Sequence, residues 1–119
     1  MRIFLFLFFI LISTTSQASE LTAAQLHKYC QETEKGFLGQ KFDAAKSEIC
    51  RGYMMGFADS MIITDTVKGT PNFCVPPSIK KSQNTLLLKS WVKANKKIAN
   101  TTTAAVALFA AYNKAFPCK

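Results

Sequence analysis

The chain has 119 residues, of which 49% are hydrophobic and 18% are charged, and its formal net charge at pH 7 is +8. It contains one histidine and four cysteines, with no Cys-x-x-Cys pair, no Gly-x-Ser-x-Gly turn and no glycine-rich phosphate loop. We therefore expect no metal site, no cofactor, no catalytic residue and no enzymatic activity.

The N-terminus has the pattern of a secretory signal peptide. Met1-Arg2 precede the apolar run Ile3 to Ile12, and Ser16-Gln17-Ala18 fits a signal-peptidase site. The apolar run is about half the ~20 residues that a membrane-spanning helix needs. We expect residues 1–18 to be removed on export and residues 19–119 to form one domain. An uncleaved membrane anchor is the alternative.

Two helices are predicted in the first half of this domain. Thr22 and Gln25 form a capping box that indicates the start of the first helix. Residues 35–42 contain two glycines and predict a loop. Asp43 can cap a second helix, which should continue to about Asp65.

The second half predicts a long loop followed by two helices. Residues 66–78 are rich in glycine and proline and should be irregular. Ser78 can cap a third helix with its body over Gln83–Asn95, in which Trp91 belongs to the apolar core stripe. Asn100 is expected to begin the fourth helix. The predicted fold is thus an all-α bundle of about four helices.

The second helix is apolar nearly all round between Cys50 and Thr64, a pattern typical of a buried helix. Gly52, Gly56 and Ser60 recur every four residues and would let another helix approach closely. We interpret this segment as the central helix of the bundle. Tyr53 would then be a structural core residue, and Asp59 a buried hydrogen-bonding residue.

Four cysteines in a short exported chain indicate two disulfides, for which three pairings are conceivable. Cys30 lies late in the first helix and Cys50 early in the second, so an antiparallel hairpin brings them together. Cys74 precedes the third helix and Cys118 follows the fourth, which gives the same geometry. The favoured pairing is therefore Cys30–Cys50 and Cys74–Cys118.

The charge is distributed unevenly along the chain. Residues 66–119 hold nine lysines and no acidic residue, whereas residues 19–65 hold seven acids and five bases. A half of the chain that carries only positive charges favours binding to an acidic partner or an anionic surface. A shell of lysines that keeps the protein soluble explains the same pattern.

Several landmarks resemble the Rap/Tai family of periplasmic immunity proteins, which neutralise peptidoglycan amidase effectors delivered by type VI secretion systems. The resemblance rests on Cys50-Arg51-Gly52-Tyr53-x-x-Gly56-x-x-Asp59, Cys74-Val75-Pro76, Gln83, Trp91 and the terminal Phe116-Pro117-Cys118. It implies a periplasmic, all-helical, disulfide-linked protein, often a homodimer, that blocks the substrate cleft of an amidase. Lys96-Lys97-Ile98-Ala99 stands where the family commonly has a proline between its last two helices.

Under this hypothesis, the irregular loop would enter the enzyme cleft. The expected contact residues are Val67, Lys68, Thr70, Asn72 and Phe73, with Leu86 and Lys89 on the third helix as further contacts. The alternative is that the loop merely links two helical hairpins.

Two other functions fit parts of the sequence. The lysine-rich half would suit a cationic protein that binds lipid or an anionic envelope polymer. Met54, Met55 and Met61 would suit the adaptable client surface of a small periplasmic chaperone. We expect no nucleic-acid partner and no stable membrane insertion.

Overall fold

The computed structural model describes residues 20–119, and the predicted signal peptide lies outside this range. The described residues form four α-helices and no β-strand, which confirms the all-α prediction. The helices are α1 (Ala23–Phe37), α2 (Ala44–Lys68), α3 (Lys81–Ala94) and α4 (Ala104–Ala115). Within residues 20–119, none of them is both long and apolar enough to cross a membrane.

The start signals of α1 and α2 act as the sequence predicts. The Gln25 amide donates to Thr22 Oγ1 at 3.2 Å, and the Thr22 amide donates to Gln25 Oε1 at 3.0 Å. At α2, Asp43 Oδ1 accepts a hydrogen bond from the Lys46 amide at 3.1 Å. Helix α1 continues two residues past the predicted start of the loop, and the chain turns at Gly39, whose φ is +68°.

Helix α1, and not α2, is the helix around which the bundle is arranged. It packs against all three other helices, whereas α2 packs extensively only on α1. The contact stripe of α1 consists of Ala23, Leu26, Cys30 and Thr33. Small residues of α4 allow a close approach, since Ala104 and Ala107 are fully buried.

The prediction that α2 is buried on all sides is wrong. Cys50 and Phe57 are buried on one stripe, but Gly52, Gly56 and Ser60 are exposed. A Cβ atom added at either glycine would meet no heavy atom within 4 Å, so no helix within residues 20–119 packs closely against them. Asp59 is exposed as well, and it is not the buried hydrogen-bonding residue that the sequence predicts.

Helix length explains why the C-terminal part of α2 escapes burial. Helix α1 has 15 residues and α2 has 25, which correspond to roughly 22 Å and 38 Å at a rise of ~1.5 Å per residue. The C-terminal part of α2 therefore extends beyond its hairpin partner. Tyr53 and Met54 of α2 are half-buried and pack against the core. Trp91 of α3 does the same.

The first turns of α1 and α4 complete each other's hydrogen bonds. The amides of Ala23 and Ala24 donate to the carbonyls of Thr102 and Ala99 at 2.9 and 3.0 Å. In return, the Ala104 amide donates to the Leu21 carbonyl at 2.8 Å. Amides at helix N-termini have no partner within their own helix, so this junction satisfies them. It also places the start of α4 at Ala104, later than the predicted Asn100.

The disulfides join Cys30 to Cys50 and Cys74 to Cys118, the pairing favoured by the hairpin argument. Their Cα atoms lie 5.1 and 5.0 Å apart. Cys30 and Cys50 are buried between α1 and α2, whereas Cys74 and Cys118 are exposed at the end of the second hairpin.

Candidate functional site

The loop between α2 and α3 begins later than its sequence suggests. Thr66, Val67 and Lys68, predicted to be irregular, form the last turn of α2. The helix ends at Gly69, which adopts a φ of +72° and donates its amide to the Asp65 carbonyl at 2.9 Å. Glycine takes this left-handed conformation without steric cost, so it sets the end of the helix.

The loop also ends later than the sequence predicts. Helix α3 is capped at Lys80, whose amide donates to Gln83 Oε1 at 2.7 Å, so Ser78 is not the N-cap. Ser78 lies instead in a turn, which is closed by a hydrogen bond from the Ile79 amide to the Pro76 carbonyl.

Asn72 holds the loop against α2. Its amide N–H donates to Asp65 Oδ1 at 2.9 Å, and its side-chain Nδ2 donates to the same oxygen at 2.5 Å. Lys68 Nζ donates to Asn72 Oδ1 at 2.9 Å and completes the network. Asn72 is half-buried, so its side chain stabilises the loop and does not point outward as predicted.

Phe73 is buried, and the prediction that it reaches toward a partner is wrong. Its ring lies 5.0 Å from Tyr112 and 5.9 Å from Phe109 between centroids. Phe57 of α2 contacts Tyr112 at 5.7 Å, so one aromatic cluster joins α2, the loop and α4. Burial raises the pKa of Tyr112 to about 12, which keeps this phenol neutral at physiological pH.

Cys74 fixes the loop to the C-terminal end of the chain. Besides its disulfide to Cys118, its amide donates to the Phe116 carbonyl at 2.8 Å. Residues 72–74 are thus held by a polar network, an aromatic cluster and a covalent bond in succession.

The outward surface of this segment is small and well defined. We call it the loop crest: Val67, Lys68, Thr70 and Pro71, all of which are exposed. At 83%, Val67 is the most exposed large apolar residue within residues 20–119. The crest lies immediately before the anchored residues 72–74, so the loop presents a short exposed surface on a fixed base.

A second exposed surface runs along α2, and sequence reasoning missed it. We call it the outer stripe of α2: Ile49, Gly52, Gly56, Ser60 and Ile63, which share one side of the helix and are all exposed. Large apolar residues on a contiguous exposed surface are typical of an interaction site. The sequence feature that could have indicated this surface is the apolar character of the second helix on every side.

Comparison with known proteins identifies the family of this chain. The family model described as Rap1a immunity proteins matches residues 22–118, nearly all of the described chain. The chain belongs to the Rap1a immunity protein family. No curated protein and no solved structure matches it.

Membership in this family identifies an immunity protein directed against a secreted effector, which implies that its partner is an effector protein. An immunity protein is an inhibitor, and the family therefore points to a non-catalytic function. In residues 20–119, no group of three or more His, Cys, Asp or Glu residues could hold a metal ion.

The remaining predicted contacts of this Rap1a-family protein lie on α3. Leu86 is 49% exposed, whereas Lys89 is half-buried and its Nζ lies 3.3 Å from Glu34 Oε2 on α1. This ion pair joins the acidic and basic halves of the chain and reduces the net charge that Lys89 offers a partner. Beside it, burial lowers the pKa of His27; Lys89 and Lys93 lower it further, and Glu34 opposes them.

Proposed function

We propose that this protein is a periplasmic immunity protein that inhibits a peptidoglycan amidase effector of a type VI secretion system. In this proposal, the signal peptide over residues 1–18 is removed, and the loop crest enters the active-site cleft of the amidase. The observation that supports the crest is its combination of exposure and fixed base, given by Val67 at 83% exposure and Phe73 at 8%.

The anchoring of residues 72–74 favours tight binding. Ordering a mobile loop on association costs free energy, about 0.5–1.5 kcal/mol for each immobilised side chain. Asn72, Phe73 and Cys74 are already held by Asp65, Tyr112 and Cys118 in the free protein. The crest therefore loses little conformational entropy when a partner binds it.

The lysines contribute to encounter with the partner. Lys68 lies in the crest, and Lys93, Lys96, Lys97 and Lys114 are exposed elsewhere in the second half. A positive surface accelerates association with an acidic cleft rim, and salt screens this effect over a Debye length of about 8 Å.

We further propose that a second copy of the chain covers the outer stripe of α2. Gly52, Gly56 and Ser60 leave this surface flat enough for a second helix to approach closely. Ile49 and Ile63 flank them with exposed apolar area that pairing would bury. A homodimer also agrees with the family resemblance.

A pair of matched variants tests the crest. Thr70 and Thr101 are both exposed threonines outside the helices. Thr70→Trp should obstruct the contact and raise the dissociation rate from the cognate amidase at least ~10-fold, about 1.4 kcal/mol. Thr101→Trp should leave that rate unchanged.

Surface plasmon resonance would measure both rates, with circular dichroism showing that each variant is folded. Lys68→Glu should slow association and weaken its dependence on salt, because it changes long-range attraction. It also removes the hydrogen bond from Lys68 to Asn72, so it should loosen the loop as well. Equal dissociation rates for Thr70→Trp and the parent would exclude the crest as the inhibitory contact.

A further inference from the structure

The two disulfides differ in their access to solvent. Cys30 and Cys50 lie between α1 and α2 with exposed fractions of 2% and 1%, so a reagent reaches them only if the core opens. Cys74 and Cys118 are both exposed, and neither belongs to a helix. A thiol reagent can therefore attack the second crosslink while the bundle stays folded.

The residues around the second crosslink are exposed as well. Pro76 is exposed two positions after Cys74, and Pro117 and Lys119 are exposed on either side of Cys118. The accessible surface of this disulfide thus continues over its neighbours and is not confined to a narrow cleft.

The disulfide holds a part of the loop that has few other contacts. Asn72 and Phe73 keep partners of their own, since Asn72 donates to Asp65 and the Phe73 ring lies 5.0 Å from the Tyr112 ring. Beyond the disulfide, Cys74 is held by its amide, which donates to the Phe116 carbonyl at 2.8 Å. Opening the crosslink would therefore loosen residues 74–80, which lead into α3, and leave residues 72 and 73 anchored.

The reaction that opens such a crosslink is thiol–disulfide exchange. A thiolate attacks the sulfur of Cys74 or Cys118 and forms a mixed disulfide, and the other cysteine leaves as a thiolate that takes up a proton. The second thiol of the reductant then displaces the remaining protein sulfur, which is protonated in turn, and the reductant becomes a disulfide. The reductant is thus a dithiol, either a small molecule or the Cys-x-x-Cys pair of an oxidoreductase.

We infer that Cys74–Cys118 is a redox-sensitive clip on the connection between α2 and α3, which a dithiol opens while Cys30–Cys50 stays closed and the bundle stays folded. Exposed disulfides are the labile or regulatory ones in proteins, whereas structural crosslinks resist reduction. Opening the clip also weakens inhibition, a consequence that rests on the function proposed above. Residues beside the crest must then be ordered again when the amidase binds.

Titration of the folded protein with dithiothreitol, followed by alkylation with N-ethylmaleimide and peptide mass spectrometry, tests this inference. Cys74 and Cys118 should be alkylated at a dithiothreitol concentration at least ~10-fold below the one that opens Cys30–Cys50. Circular dichroism should show an unchanged helix content at the lower concentration. Resistance of Cys74–Cys118 in the folded protein, opening of both disulfides at one concentration, or loss of helix with the first alkylation would each overturn the inference.

Hydrogen exchange measured by NMR shows what the clip holds. After selective reduction, the Cys74 amide should exchange at least ~10-fold faster, because its acceptor Phe116 is no longer tied to it. The Leu26 amide, which donates to the Thr22 carbonyl at the start of α1, should exchange as before. Unchanged exchange at Cys74 would overturn the loosening of residues 74–80.

Surface plasmon resonance with the cognate amidase measures the effect on inhibition. Cys74→Ser with Cys118→Ser should raise the dissociation rate about 2–10-fold relative to the parent. If Thr70→Trp raised that rate and the double variant did not, the effect of the clip on inhibition would be overturned. If neither raised it, the crest would be excluded as the contact, whereas the alkylation pattern would still decide whether the clip exists.

Discussion

Helices α1 and α2 are joined by a disulfide and a short turn, yet they use their apolar residues in opposite ways. The shorter helix, α1, places Leu26 and Cys30 at 0% and 2% exposure in the centre of the bundle. The longer and more apolar helix, α2, leaves Ile62 and Ile63 at 65% exposure. One apolar stripe is what a small bundle can cover, so a helix that is apolar on every side retains surface for a partner.

Removing the disulfides should give the largest loss of stability. Sequence separations of 20 and 44 correspond to closed rings of 21 and 45 residues. Each crosslink should therefore contribute about 3–4 kcal/mol on the loop-entropy model. Cys30→Ala with Cys50→Ala separates α1 from α2, and Cys74→Ser with Cys118→Ser releases the loop.

Urea titration of both double variants would measure the two losses. Free thiols in the denatured, unreduced parent protein would contradict the crosslinks themselves. If the Cys30–Cys50 variant unfolded at the same urea concentration as the parent, the α1–α2 hairpin would not depend on its disulfide.

Truncating one side chain on each helix sharpens the contrast. Leu26→Ala leaves a cavity at a position with 0% exposure and should cost about 2–5 kcal/mol. Ile63→Ala removes a side chain that is 65% exposed, and at concentrations where the protein is monomeric it should change stability by less than about 0.5 kcal/mol. Comparable losses at the two sites, measured by chemical unfolding, would place α2 inside the fold.

Adding a side chain on the outer stripe separates folding from assembly. Gly56→Leu would have cost several kcal/mol in a buried helix contact, but the position is open to solvent. Leucine favours a helix over glycine by about 0.8–1 kcal/mol, so the dilute variant should be slightly more stable than the parent. The same bulk should separate a dimer formed through this stripe.

Analytical ultracentrifugation and thermal unfolding at low concentration would measure these two effects of Gly56→Leu. A destabilised monomer would restore the sequence-based interpretation of Gly56. A dimer of unchanged affinity would place the contact between copies elsewhere.

The smallest expected effect concerns pH and His27. Burial lowers the pKa of His27 below 6.5, and Lys89 and Lys93 act in the same direction. The unfolded chain therefore takes up this proton more readily, so the contribution to stability is complete above about pH 6.5 and decreases as the pH falls through the lowered pKa. The thermal midpoint should fall slightly between about pH 7 and about pH 5, and His27→Gln should reduce that fall.

The carboxyl groups of Glu32 and Asp43 do not obscure this measurement, because their pKa values are lowered and they titrate at more acidic pH. An unchanged pH dependence in His27→Gln would assign the effect to another group.

The sequence predicts the features that depend on local chemistry. The Thr22 capping box, the Asp43 cap and the division into two hairpins follow from short patterns, and the hairpins in turn favour the observed disulfides. Burial depends on how long neighbouring helices are, and periodicity does not contain this information. The Gly52/Gly56/Ser60 row favours a close contact with another helix, but all three residues are exposed in the described chain.

In the candidate site, too, local features are predicted from the sequence and contacts between distant elements are not. Sequence composition correctly predicts a loop before α3, although it begins this loop too early. Val67 and Lys68 in the last turn of α2 and Thr70 in the loop are all exposed. Phe73 and Asn72 turn inward because Tyr112, Phe109 and Asp65 offer them partners from other elements. Such partners become visible only when α4 is placed beside the loop.

The junction between the first turns of α1 and α4 has a consequence for the order of folding. Its bridge pairs Thr22 with Thr103, which are 81 positions apart in the sequence (103 − 22). Local turns of helix form early, but a contact of this sequence separation must await closure of a long loop. The amides of Ala23 and Ala24 therefore find their acceptors only after the chain as far as Thr102 has been made and has folded back onto the first helix.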